Sequence, residues 1–166
     1  MKIILALTAL LAVVQDKEDP RFKYWSNCKV GSWVKTKMVI DQGEMKGEME
    51  QTQKLVEVAD DKLTIEISGN MKLAGKERPI PPRKQEIKAK DTEGTVQIDK
   101  EGDEEIEIAG KMLKCHWYEM TVKAGANPMK MKAWMSSEIP GGGAKVEVTP
   151  PNQKTVTMTA AEWEKK

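Results

Sequence analysis

Apolar residues recur at every second position over most of this chain, and the period lengthens only near the front. Within residues 33–40, Val34, Met38 and Ile40 share one side. The positions Met45, Gly47, Met49, Gln51, Gln53 and Leu55 alternate in the same way, and Asp60-Asp61 marks a turn before Leu63, Ile65, Ile67, Gly69, Met71 and Leu73. Period-two alternation is the mark of strands with two different faces, and long strands joined by short polar turns make an antiparallel meander. Ile87 and Ala89, then Val96 and Ile98, then Ile106 and Ile108 extend the pattern with charged residues opposite. Residues 76–83, which carry Pro79, Pro81 and Pro82, interrupt it and read as a stiff surface loop rather than a polyproline ligand. Near the end, residues 145–148 and 155–159 flank the turn Pro150-Pro151-Asn152 as a closing hairpin, and 160–166 read as a polar tail.

The front differs. Met1-Lys2 precedes an apolar run over residues 3–14, shorter than the roughly 18–20 residues a spanning helix needs and suited to a secretory signal. Residues 1–15 are thus expected to be a signal peptide and 16–166 a single β-rich domain; the competing reading is a buried N-terminal strand or helix. Asp19-Pro20-Arg21-Phe22-Lys23-Tyr24-Trp25 then predicts a short helix, with Asp19 as its cap, Pro20 in its first turn, and Phe22 and Trp25 on one face to plug one end of a sheet.

Composition narrows the choices. The chain has 166 residues, 39% of them hydrophobic, enough for one core. Its 27 basic and 26 acidic residues nearly cancel, so no strong field draws it to nucleic acid. Cys28 and Cys115 are an even pair; in an oxidising compartment they could bridge, or they could stand as two buried thiols. The acidic run Asp99, Glu101, Asp103, Glu105 lacks the glycine position and the bidentate clamp of a calcium loop and reads as a solvated strand edge.

Catalytic chemistry finds little to stand on. The only histidine, His116, lies inside an expected strand, and no G-x-S-x-G, H-E-x-x-H or glycine-rich helix-opening turn is present. The expectation is a protein that is not an enzyme and needs no cofactor. Cys115 and His116 with Met129, Met131 and Met135 suggest a soft Cu(I) site. Adjacent strand residues point to opposite faces, however, and Met129, Met131 and Met135 equally describe a core face, so no metal ligands are assigned. Leu113-Cys115-Trp117 on one side and Met112-Tyr118-Met120 on the other make a strand apolar on both faces. Such a sheet is covered twice or curls around a hydrophobic cavity. A closed core without a cavity remains the alternative.

Two segments carry a resemblance. Gly110-Lys111-Met112-Leu113-Lys114-Cys115 and Trp134-Met135-Ser136-Ser137-Glu138-Ile139-Pro140-Gly141-Gly142 resemble a G-K-x-L-x-C strand and a W-x-S-x-x-[IV]-P-G-G strand end of uncharacterised exported bacterial proteins. The layout of long amphipathic strands after a signal is similar to the periplasmic lipoprotein-carrier superfamily, the LolA/LolB-like fold. The resemblance implies a mainly β fold, a strongly curved antiparallel meander forming an open half-barrel, with the short N-terminal helix beside it. It also implies a periplasmic or secreted location and a hydrophobic small molecule, lipid or lipoprotein acyl chain on the concave face. One departure is visible, the lack of long amphipathic helices to act as a lid. From periodicity, Met38, Met71, Met112, Trp117, Met131 and Trp134 are the candidate lining. An envelope module without a cavity, binding another envelope protein through a sheet edge, is the second expectation.

Overall fold

The computed structural model describes residues 20–42, 45–89, 96–124, 127–151 and 153–166. The expected signal peptide and the Asp19 cap lie outside them. The helix α1 spans Pro20–Ser26. Nine strands follow: β1 Trp33–Gln42, β2 Met45–Val58, β3 Lys62–Leu73, β4 Lys76–Lys88, β5 Val96–Ile108, β6 Lys111–Ala124, β7 Asn127–Met135, β8 Gly143–Thr149 and β9 Val156–Glu164. All join one antiparallel sheet in the order β4-β3-β2-β1-β9-β8-β7-β6-β5, a meander whose last strand returns beside the first. Its ends, β4 and β5, do not pair, so the sheet is an open curved meander and not a closed barrel.

Strand spacing shows how strongly it curls. β9 and β5 stand four places apart in the strand order, about 19 Å in a flat sheet. Their residues nevertheless approach within 8 Å between Cα atoms. Lys111 Nζ, at the β5–β6 turn, lies 5.0 Å from the centre of the Trp163 ring on β9. One hydrophobic cluster includes Leu63 and Ile87 from one side of the sheet, Ile108, Leu113 and Cys115 from the other, and Phe22 and Trp25 of α1. The short helix therefore plugs the curl, as its apolar spacing predicts. A seven-residue helix has little stability of its own and is held by this packing.

A second cluster holds Met38, Ile40, Met49, Met120, Met131, Val146, Val148 and Val156. In β1, Val34 belongs to the first cluster and Met38 to the second, although their spacing puts both on one face. β2 repeats this with Leu55 and Met49, and β3 with Ile67 and Met71. Over these strands the two clusters are thus opposite ends of one face. Between them runs the cross-strand row Gly69, Gln51, Thr36, Ala160. Gly69 is required there, because a Cβ would collide with the Glu50 carbonyl.

Two sequence expectations need correction. Residues 76–83 are part of strand β4, not a loop. β4 is an edge strand, where a proline need not donate to an outer neighbour, and the register with β3 skips Pro81 and Pro82 at a bulge. Residues 160–166 are not a tail. β9 runs to Glu164, Ala160 is buried, and Lys29 N donates to the Lys166 carbonyl at 3.1 Å. A bulge between Lys35 and Thr36 breaks strict alternation there and brings Trp163 opposite Val34, which hid the strand's continuation from a period-two reading.

Candidate functional site

A partly open cavity of about 80 Å³ lies between α1 and the sheet. Trp25 and the Pro140-Gly141 segment form one side; Val34, Ile65, Ile67 and Ile87 supply apolar wall, and Thr36, Gln51, Gln53 and Gln85 a neutral polar one. Gly141 has φ +73, and a Cβ there would overlap the Trp25 indole. The glycine turn after β7 is therefore what lets the tryptophan close the cavity. Val146 and Met158 also line it, and both belong with the second cluster.

Through Met158 the cavity meets a row of flexible side chains. Register places Met71, Met49, Met38 and Met158 side by side on four adjacent strands, continuing through Val146 and Ala133 to Tyr118. Met38 and Met49 are buried, whereas Met71, Met158 and Tyr118 are only partly covered. Methionine is unbranched and polarizable, so such a row adapts to apolar contacts of varied shape.

The sequence-derived lining does not form one surface. Met38, Met71 and Met131 join the second cluster. Trp117 and Trp134 pair with each other and with Lys145, in a row next to that of Tyr118, Ala133 and Val146 and hence on the opposite face. Lys132 Nζ sits 4.4 Å from the Trp117 ring centre and 4.8 Å from that of Trp134, and the Trp134 indole N–H donates to Glu104. Trp134 is buried in the first cluster with Trp117 packed against it, so neither joins the methionines of the second. Met112 is 62% exposed and lines neither region. Strand parity separates Trp134 from Met131 already in the sequence. The missed lining residues had weaker signals: Gln51 and Thr36 are polar residues at inward positions of alternating strands, and Met158 stands on the last strand, whose neighbour the spacing does not give.

His116 lies in a wider cleft of about 490 Å³ beside Tyr24, Asp103 and Lys114. Its Nδ1 is 2.7 Å from Asp103 Oδ1, its Nε2 is 3.7 Å from Glu101 Oε2, and its ring meets Tyr118 edge-on. Both nitrogens face carboxylates, an arrangement suited to an ion pair. Among the described residues no group of three His, Cys, Asp or Glu side chains is placed to hold a metal ion.

The two cysteines are free and buried, so the bridge considered from sequence is absent. Cys28 ends the helix segment, where its Sγ donates to the Tyr24 carbonyl at 3.4 Å. Burial raises both thiols, Cys115 to about 11 with help from Glu104 and Glu138. Because the folded value of Cys115 exceeds its ordinary 9.0, its contribution to stability is complete below pH 9 and is lost as the pH rises toward 11. Neither thiol is expected to react with a disulfide exchange reagent at neutral pH until the protein is unfolded. Titration of free thiols with and without denaturant checks this, and rapid native labelling would contradict the burial.

Gln51 is 4% exposed, and among the described residues its Nε2 has no hydrogen-bond partner. A buried, unsatisfied donor costs about 1–3 kcal/mol. Gln51→Met, which keeps the shape and removes the donor, is therefore expected to stabilise the ligand-free protein by about 1 kcal/mol. Urea denaturation should show a higher midpoint with an unchanged slope; a lower midpoint would mean the amide is satisfied.

No family model matches the chain, and no curated protein is similar to it in sequence. Among solved structures it is similar to a protein of Bacteroides fragilis, predicted to be exported, with a YmcC-like fold. The TM-score is 0.51 at 7% identity over 83% of this chain and 97% of that one. That likeness concerns the fold. A DUF1329 family protein from Desulfovibrio piger matches at a TM-score of 0.31, with 10% identity over 89% of this chain and 91% of that one, too slight to bear on the fold.

Proposed function

We propose that this is an exported, non-catalytic protein of the periplasm or the extracellular space that binds a hydrophobic ligand, a lipid or lipoprotein acyl chain, on the concave side of its sheet, in the manner of the lipoprotein carriers. The observation that carries the reading is the continuity of the cavity under α1 with the methionine row, through Met158 and Val146. At about 80 Å³ the cavity holds only part of such a ligand, since a void of about 150 Å³ is needed for benzene. The rest of the chain would lie along Met38, Met49 and Met71, where burying apolar area gives about 25 cal/mol per Å². The wider cleft at His116 supports the reading less, because Asp103, Glu104, Glu105 and Lys114 stand in its wall.

The fold likeness to a protein predicted to be exported is compatible with this location. Among the described residues no helix is long and apolar enough to cross a membrane. Partner binding by strand addition at β4 is disfavoured by its prolines and charges, which blunt an edge. Uptake of phenylnaphthylamine, a neutral dye that brightens in apolar surroundings, tests the proposal. Saturable binding by the folded protein is expected, and no uptake at intact fold would refute it.

A further inference from the structure

Resting on that reading, we infer that the occupant of the cavity is a neutral acyl derivative, an ester or amide, whose carbonyl oxygen accepts a hydrogen bond from Gln51 Nε2 while its hydrocarbon runs along the methionine row. Among the described residues Gln51 Nε2 has no hydrogen-bond partner. Gln51 is buried, lines the cavity, and lies at the boundary between the two clusters, two register positions from the row that contains Met49 and Met38 and so on the same face. A purely hydrocarbon ligand would leave that donor unsatisfied; an acceptor at the head of the chain would satisfy it.

The rest of the polar wall sets the charge of the head. Thr36, Gln53 and Gln85 are neutral, and a carboxylate placed among them would be desolvated and would have to compete for Arg21 with the interaction that residue already makes. The cavity's size agrees: about 80 Å³ has room for the linking group, not for a large polar head. The ligand would therefore seat its ester or amide unit under Trp25 and thread its tail past Met158.

Displacement of phenylnaphthylamine by methyl laurate, dodecane and laurate distinguishes the possibilities. Methyl laurate is expected to displace the dye at about three- to tenfold lower concentration than dodecane, the worth of one net hydrogen bond, and at lower concentration than laurate. Gln51→Met is expected to abolish the ester's advantage over dodecane, each measured against the variant's own dye affinity, and Gln51→Leu serves as a second variant should the first fold poorly. Equal displacement by ester and alkane, an advantage retained in both variants, or strongest displacement by laurate overturns the inference and leaves the groove standing. No dye uptake by the folded wild-type protein overturns the groove itself.

Discussion

Trp25→Ala is expected to lower the free energy of unfolding by about 3–5 kcal/mol, the usual cost of emptying a buried tryptophan site. Trp25 is 1% exposed, belongs to the cluster that joins both sides of the sheet, and closes the cavity against Gly141. On the Gly141 side no side chain is present to refill the space. Thermal unfolding should show a drop of about 10 °C, given about 2–4 °C per kcal/mol for a domain of this size. The dye site should loosen as well, since α1 is its cover. A shift of only a degree or two would mean that α1 rests on the sheet without closing it.

Met158→Lys should have the largest effect on binding. Met158 is the residue shared by cavity and methionine row, and it is only partly buried, so a lysine can place its ammonium in water at modest cost to the fold. An apolar chain laid past it must desolvate that charge, which costs several kcal/mol. Dye affinity is expected to fall at least about tenfold, while Met158→Leu retains it and Met112→Lys, on an exposed residue, changes nothing. Equal affinity in wild type and Met158→Lys would place the ligand elsewhere.

Most of the architecture was legible in the sequence because strand alternation and turn residues act locally. The helix at Phe22 and Trp25, the turn at Asp60-Asp61 and the two-faced strand around Cys115 all follow from spacing alone, and β6 does send Leu113 and Cys115 to one cluster and Met120 to the other. The exceptions are places where tertiary pairing outweighs a local preference. Pro79, Pro81 and Pro82 break strands in isolation, but an outer strand of this sheet has no further partner to lose. Trp163 is hidden by a bulge, which shifts the alternation by one residue.

The site was legible in kind but not in membership. An inward methionine face can be read from Met38 and Met71; which strands lie next to each other cannot, so Met158, from the last strand, was missed although it pairs with Met38. Trp117 and Trp134 attracted attention as large apolar residues, yet their faces are set by parity and their rings are occupied by Lys132. In the sequence Gln51 is one position of an alternating strand and nothing marks it as buried. Its burial, without a partner for Nε2 among the described residues, makes it the most informative side chain in the cavity.

The central claim is that apolar ligands lie along the concave methionine row, and it is tested most directly by magnetic resonance of methyl-labelled methionine in the folded protein during titration with methyl laurate. The methyl signals of Met38, Met49, Met71 and Met158 should shift together and saturate, while that of Met112 stays in place. Saturable binding with those four signals unmoved, or a shift confined to Met112, would contradict the account.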